Sequence, residues 1–224
     1  MDIDWTSIDI IMFDMDGTLL DLAFDNRFWL QRVPQVYADL HSLSLEDSLQ
    51  QLKQRFNARQ GQLAWYCLDF WSQELGIDLA KLKQDERHFI SLRPQSLDFL
   101  QRLQISGHAA WLVTNAHHLS LSLKLDTTGI GNYFQHIICS HSYSFPKESP
   151  DFWATLQKHH PHNPARCLLI DDSEAVLDAA QHAGIGQLLT IAQPDMQQPH
   201  RSQLRYPAIK NFTEVFPLPG VIAS

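Results

Sequence analysis

The sequence predicts an α/β fold: a doubly wound parallel sheet interrupted by an inserted all-helical segment. Three observations lead there. An apolar, β-branched run occupies residues 8–13, with Ile8, Ile10, Ile11 and Phe13. The next stretch, to about Leu92, carries helical spacing and no strand period. From Arg93 onward short apolar runs alternate with helical patterns, which implies parallel strands with helices on both faces of the sheet.

The elements follow in order. Residues 8–13 have the length of a buried strand. Phe24, Phe28, Val33 and Tyr37 recur near helical spacing over residues 24–40, and Pro34 predicts a kink there or a division into two helices. Ser44 is a suitable N-cap for a helix to Asn57, with Glu46 and Asp47 in its first turn. A third helix is expected over 62–75, stopped by Gly76, and a fourth, more polar one over 79–89. These helices make a cap of about 70 residues, placed at 21–92, with residues 1–20 and 93–224 forming the core. Within the core, Pro94 is expected to open a helix over 94–103. Strands are expected at 109–113, 136–139, 167–170 and 186–191. Helices are expected at 119–125, 149–158 and 174–183, with a turn at Gly129-Ile130-Gly131. The tail from Gln193 is rich in Pro and Gln, and its only expected element is a short helix near 212–216.

With 224 residues, 44% hydrophobic and 19% charged, the chain has an ordinary globular balance. Its formal net charge of -8 argues against nucleic acid as a partner. No charged-then-apolar leader follows Met1, and no run approaches membrane-spanning length. The three cysteines, Cys67, Cys139 and Cys167, form no C-x-x-C spacing, which fits reduced thiols and a cytoplasmic location.

Candidate chemistry gathers at the expected C-terminal ends of strands, where open α/β sheets bind ligands. Asp14-Met15-Asp16-Gly17-Thr18 leaves the first strand with two carboxylates and a glycine that permits a sharp turn. The second strand ends in Thr114-Asn115. Lys147 lies in a loop before a helix, and the run Cys167–Ile170 ends in Asp171-Asp172. A carboxylate nucleophile, a second carboxylate able to move a proton, a fixed cation and further acids for a metal suit phosphate chemistry.

This ordered set of four motifs resembles the haloacid dehalogenase-like (HAD) hydrolases over essentially the whole chain. The resemblance implies a Rossmann-like core with Asp14 as nucleophile and Asp16 as general acid and base. It implies Mg2+ held by Asp14, the backbone carbonyl of Asp16 and Asp172, with Asp171 binding directly or through water. Thr114, Asn115 and Lys147 would hold the phosphoryl group, with Gly17 and Thr18 beside it. Val176 stands where many members carry Asp or Asn, and Glu148 where Pro is frequent. An acid at position 16 marks phosphatases and phosphomutases within the family and disfavours a dehalogenase.

The core motifs touch only phosphate, so the cap must read the leaving group. Its aromatics, including Phe28, Trp29, Trp65, Tyr66 and Trp71, are expected mostly to pack its own interior. Asn26 and Arg27 are the expected polar contacts to substrate. The runs Leu20-Asp21-Leu22-Ala23-Phe24-Asp25-Asn26 and Trp65-Tyr66-Cys67-Leu68-Asp69-Phe70-Trp71 are similar to bacterial GMP/IMP 5′-nucleotidases of this family. That similarity implies a purine nucleotide as the small phosphorylated partner. A sugar-phosphate phosphatase or phosphomutase is the second reading, and a module with the fold but no turnover the third. His117-His118 and the histidines at 159, 160 and 162 lack zinc spacing and are expected at the surface. Cys67 is expected to be an inert buried thiol within a helix.

Overall fold

The computed structural model describes residues 3–216; the segment 217–224 of the expected core lies outside the described residues. Six strands form one parallel sheet: β1 (Ile10–Phe13), β2 (Ala109–Thr114), β3 (His136–Cys139), β4 (Cys167–Ile170), β5 (Gln187–Ile191) and β6 (Ala208–Ile209). Their order is β3-β2-β1-β4-β5-β6, so β1 is central, paired with β2 on one side and β4 on the other.

Alternation along each strand divides the core into two layers, as expected for a sheet buried on both faces. Ile11, Phe13, Leu112, Leu168 and Ile170 face one layer, packed against α7 (Ser96–Ser106), α8 (His118–Thr128) and a short helix at Phe212–Val215. Met12, Trp111, Val113 and Leu169 face the other, covered by α9 (Pro150–His159) and α10 (Glu174–His182).

The helices between β1 and α7 bury a third cluster around Phe28, Val33, Tyr37, Leu52 and Trp71. α1 (Ala23–Arg27) runs through a π turn at Phe28–Arg32 into α2 (Val33–His41). The π turn sits directly ahead of Pro34, which lacks an amide proton and crowds the carbonyl four residues back. The expected break is therefore a widened turn in a continuous helix. α3 (Leu45–Asn57) is capped by Ser44, whose hydroxyl accepts from the Asp47 amide at 3.1 Å.

Several elements differ from expectation. The span 62–75 is two helices, α4 (Leu63–Tyr66) and α5 (Leu68–Leu75), separated at Cys67, whose extended ψ of 109° ends one helix and caps the next. Gly76 closes α5 in the left-handed region at φ 66°. α6 (Leu79–Asp85) ends early and continues as a 3-10 turn at Arg87–Phe89. Pro94 does not open α7, which starts at Ser96. The approach to α7 is instead fixed by buried Arg93, whose guanidinium donates to the carbonyls of Gln193, Pro194 (3.2 Å) and Lys210 (3.3 Å). The tail carries β6 in addition to its short helix, a strand of two residues and too brief to show a period.

Candidate active site

Asp14 continues the line of β1, and its amide donates to the Ile170 carbonyl at 2.9 Å, which sets it beside the end of β4. Gly17 then turns the chain at φ 81°. A Cβ added there would lie 2.7 Å from Asp172 Oδ2, so glycine is needed for the Asp172 carboxylate to approach. Lys147 comes from the loop before α9. Its Nζ donates to Asp14 Oδ1 (2.5 Å), Asp171 Oδ2 (2.7 Å) and the Val113 carbonyl (3.0 Å). Its backbone is held as well: the amide donates to Asn115 Oδ1 at 2.9 Å and the carbonyl accepts from Trp153 Nε1 at 2.7 Å. This lysine is 1% exposed and has three acceptors for its three protons.

The second oxygen of Asp171, Oδ1, accepts from the Ser173 amide at 2.9 Å, so both of its oxygens are engaged. One ligand atom from each of Asp14, Asp171 and Asp172 lies within 4.8 Å of the others. Three carboxylates facing a single lysine make a net negative set of hard oxygen donors, which fits a divalent cation such as magnesium. Asp172 carries that imbalance most strongly. Burial, then the neighbouring Asp14 and Asp171, raise its carboxyl well above the usual carboxylate range. Burial likewise lifts Asp14 to about 6, against the opposing pull of Lys147. The same two acids raise Lys147 although burial opposes them, so it stays cationic.

Asp16 belongs to a second charged group. Lys124 Nζ, on α8, stands 2.7 Å from Asp16 Oδ1 and 2.6 Å from Asp25 Oδ2. Lys83 Nζ, on α6, donates to Asp25 Oδ1 at 2.8 Å and to Ser120 Oγ at 3.0 Å. Both lysines are almost wholly buried. Burial would raise Asp25, but the two cations hold it at about 2. Asp16 is pushed up to about 6 by burial and by its Asp25 and Asp14 neighbours, with Lys124 restraining the rise. The sequence reading missed Lys83 and Lys124, each a lysine in an ordinary helical pattern. Their burial arises only where α1, α6 and α8 meet.

A cleft of about 1250 Å³ opens over the strand ends, with Asp14, Asp16, Thr114, Asn115, Lys147 and Asp172 at its floor. Thr114 Oγ1 accepts from the Ala116 amide at 3.0 Å, shaping that loop. Trp65 and Tyr66 of α4 line the roof, and Trp65 is 38% exposed. Phe28 instead packs the helical interior, and Trp71 does so while also bordering the cleft, as expected for most of these aromatics. Glu148 ties roof to floor: it accepts from the Tyr66 hydroxyl and, at 3.0 Å, from Asn115 Nδ2.

The remaining candidates divide. Asn26 lines the cleft, but its Nδ2 donates to Asp195 Oδ2 at 2.7 Å. Arg27 does not join the site: it pairs with Glu86 at 3.3 Å and stacks over Phe89, turned from the cleft. The Gly17 amide donates to the Leu20 carbonyl at 2.8 Å, so its contribution is conformational. Thr18 is fully buried beneath the turn. His117 was expected at the surface, but its side chain is only 11% exposed. It meets Cys67 and His141, residues distant in sequence.

A six-stranded parallel sheet with an aspartate, a lysine and paired acids at its C-terminal edge defines a hydrolase of the haloacid dehalogenase type. The family model for haloacid dehalogenase-like hydrolases matches residues 8–184, and the chain belongs to that family. It is 35% identical over 217 residues to the GMP/IMP nucleotidase YrfG of Escherichia coli, covering 97% of this chain and 98% of that one. Among solved structures it resembles a HAD phosphatase from Thermococcus onnurineus, with a TM-score of 0.77 and 19% identity over 92% of this chain and 95% of the other. It also resembles the magnesium-bound HAD-hydrolase YfnB of Bacillus subtilis, with a TM-score of 0.64 and 21% identity over 93% and 97% of the two chains.

Proposed function

We propose that this chain is a magnesium-dependent phosphomonoesterase acting on purine nucleoside 5′-monophosphates, GMP and IMP foremost. The carrying observation is Asp14 fixed against Lys147, with Asp16 two residues on in a cleft whose roof exposes Trp65. The similarity to a GMP/IMP nucleotidase over nearly both chain lengths supports the substrate class. Among the described residues no helix is long and apolar enough to cross a membrane. With the net charge of -8, this supports a small-molecule substrate in the cytoplasm over a nucleic acid or membrane partner.

The chemistry follows from the residues. Asp14 attacks phosphorus through the oxygen not bound to Lys147, and the bond to the nucleoside 5′ oxygen breaks. Asp16, protonated at the start, gives its proton to that leaving oxygen. The resulting aspartyl-phosphate is cleaved when Asp16, now a carboxylate, takes a proton from water. The water oxygen bonds phosphorus, and the Asp14–phosphorus bond breaks to release phosphate. Lys147 stays in contact with Asp14 and acts on the phosphoryl group as a fixed positive charge beside it. Thr114 and Asn115 hold non-bridging oxygens at the opposite side. Magnesium, held by Asp14, the Asp16 carbonyl and Asp172, would screen repulsion between the anionic nucleophile and the phosphate. Asp171, with both oxygens engaged, positions Lys147 and the loop and would meet the ion directly or through water.

The test is phosphate release from GMP, IMP, AMP and glucose phosphates by the wild-type chain and by Asp14→Asn. The wild type should prefer GMP and IMP, and Asp14→Asn should be folded and inactive. Preference for phosphosugars would overturn the nucleotide reading, and substantial turnover by Asp14→Asn would overturn the covalent route.

A further inference from the structure

Apart from the reaction centre, a second group of ligating side chains lies where the helical segment meets the sheet. Cys67 sits at the break between α4 and α5, His117 immediately precedes α8, and His141 lies in the 3-10 turn Ser140–Ser142 after β3. One ligand atom from each lies within 4.8 Å of the other two. No local sequence spacing brings them together.

Two further features point to a ligand. His117 Nδ1 and His141 Nε2 are both shielded from solvent, and neither has a hydrogen-bond partner. Buried ring nitrogens are ordinarily paired, so two unpaired ones in one group are an unmet demand. The other nitrogen of His117, Nε2, is 3.6 Å from Asp69 Oδ2 on α5. An outer carboxylate beside the far nitrogen of an imidazole orients metal-binding histidines in this way. Cys67 Sγ also accepts from the Phe70 amide at 3.4 Å, which fixes the sulfur at the start of α5.

We propose that Cys67, His117 and His141 form a binding site for a thiophilic divalent cation of the zinc class, bridging the helical segment and the sheet. One sulfur and two imidazole nitrogens select zinc or cobalt over magnesium, which prefers the carboxylates at the strand ends. With bonds of about 2.0–2.3 Å, a tetrahedral site has edges of about 3.3–3.8 Å, so closure by about 1 Å would complete it. Water fills the fourth position. The ion would fasten Cys67, next to Tyr66 in the roof, to the loop that carries Thr114 and Asn115.

The experiment is a titration of the metal-free full-length protein with Co2+ in excess Mg2+, which occupies the carboxylate group. The wild type and Cys139→Ser should bind one equivalent with a sulfur-to-cobalt charge-transfer band and tetrahedral visible bands, both displaced by Zn2+. Cys67→Ser should lose the charge-transfer band, and His141→Ala should bind at least ten-fold more weakly, with circular dichroism unchanged in both. Zn2+ should raise the melting temperature of the wild type and leave that of Cys67→Ser unmoved. A wild type without the sulfur band, or Cys67→Ser with the band undiminished, overturns the proposal.

Discussion

Replacing Lys124 with glutamine should move the alkaline limb of the kcat/KM profile upward by about 1.5 pH units. The reasoning begins with the lysine's two contacts, 2.7 Å to Asp16 and 2.6 Å to Asp25. Two unit charges about 4 Å apart interact by about 4 kcal/mol near a protein surface and about 1 kcal/mol in bulk water. The Asp16 side chain is 21% exposed to the cleft, so an intermediate value of about 2 kcal/mol applies. At about 1.4 kcal/mol per pH unit, that is close to 1.5 units. The sign follows from charge. Lys124 favours the carboxylate form of Asp16, so its removal keeps the proton on Asp16, and available to the leaving oxygen, to higher pH. Asp25→Asn should do the reverse, because it removes a like charge and leaves Lys124 to Asp16 alone. Breaking a buried ion pair also costs about 3–5 kcal/mol of stability, so each variant's melting curve is part of the assay. The profiles are measured on GMP at saturating Mg2+. Folded variants whose limbs stay in place, or move in the same direction, would refute this account of Asp16.

Three further outcomes are expected. Gly17→Ala places a methyl group 2.7 Å from Asp172 Oδ2 in a left-handed backbone, at about 1–2 kcal/mol of strain; its Mg2+ requirement should rise at least ten-fold in an activation titration, and an unchanged requirement would contradict the placement of Asp172. Trp65→Ala should raise KM for GMP by about 5- to 150-fold if the indole stacks on the base, and leave KM for p-nitrophenyl phosphate within two-fold; equal effects on both would remove Trp65 from base recognition. Asp25, held at about 2 by Lys124 and Lys83, contributes stability that is present above the usual carboxylate range and lost as pH falls toward 2. Melting temperatures from pH 6 to pH 2.5 should therefore fall more steeply for the wild type than for Asp25→Asn, and parallel curves would contradict this.

The parts of the fold with a strong local signature were legible in the chain. β1, β2 and β4 are apolar on both faces, and the acids that follow β1 and β4 and the Thr114 that closes β2 interrupt those runs sharply enough to locate the strand ends. What was hidden depended on partners distant in sequence. Lys124 reads as a solvent-facing residue of α8 until Asp16 and Asp25 are brought against it. His117, judged by its neighbour His118, looks like a surface residue, whereas Cys67 and His141 lie tens of residues away on either side. Cys67 also breaks the helical pattern expected through it, because the extended backbone there starts a new helix without Gly or Pro to signal it. Arg27 was misjudged for the same kind of reason: a cationic residue near the hinge is a natural phosphate contact until Glu86 and Phe89 are seen to hold it elsewhere. β6 is too short to carry any pattern.

The central position of β1 bears on how the molecule comes into being. β1 is translated before both of its neighbours and cannot finish its ladder until residues 109–114 and 167–170 have emerged, and Arg93 finds its last carbonyl only when residue 210 is made. Asp14 is thus translated well before residues 147, 171 and 172, which supply the cation and the fellow acids that surround it. On the proposed reading, a chain that stops short of residue 172 carries its nucleophile without the lysine and the acids that serve it.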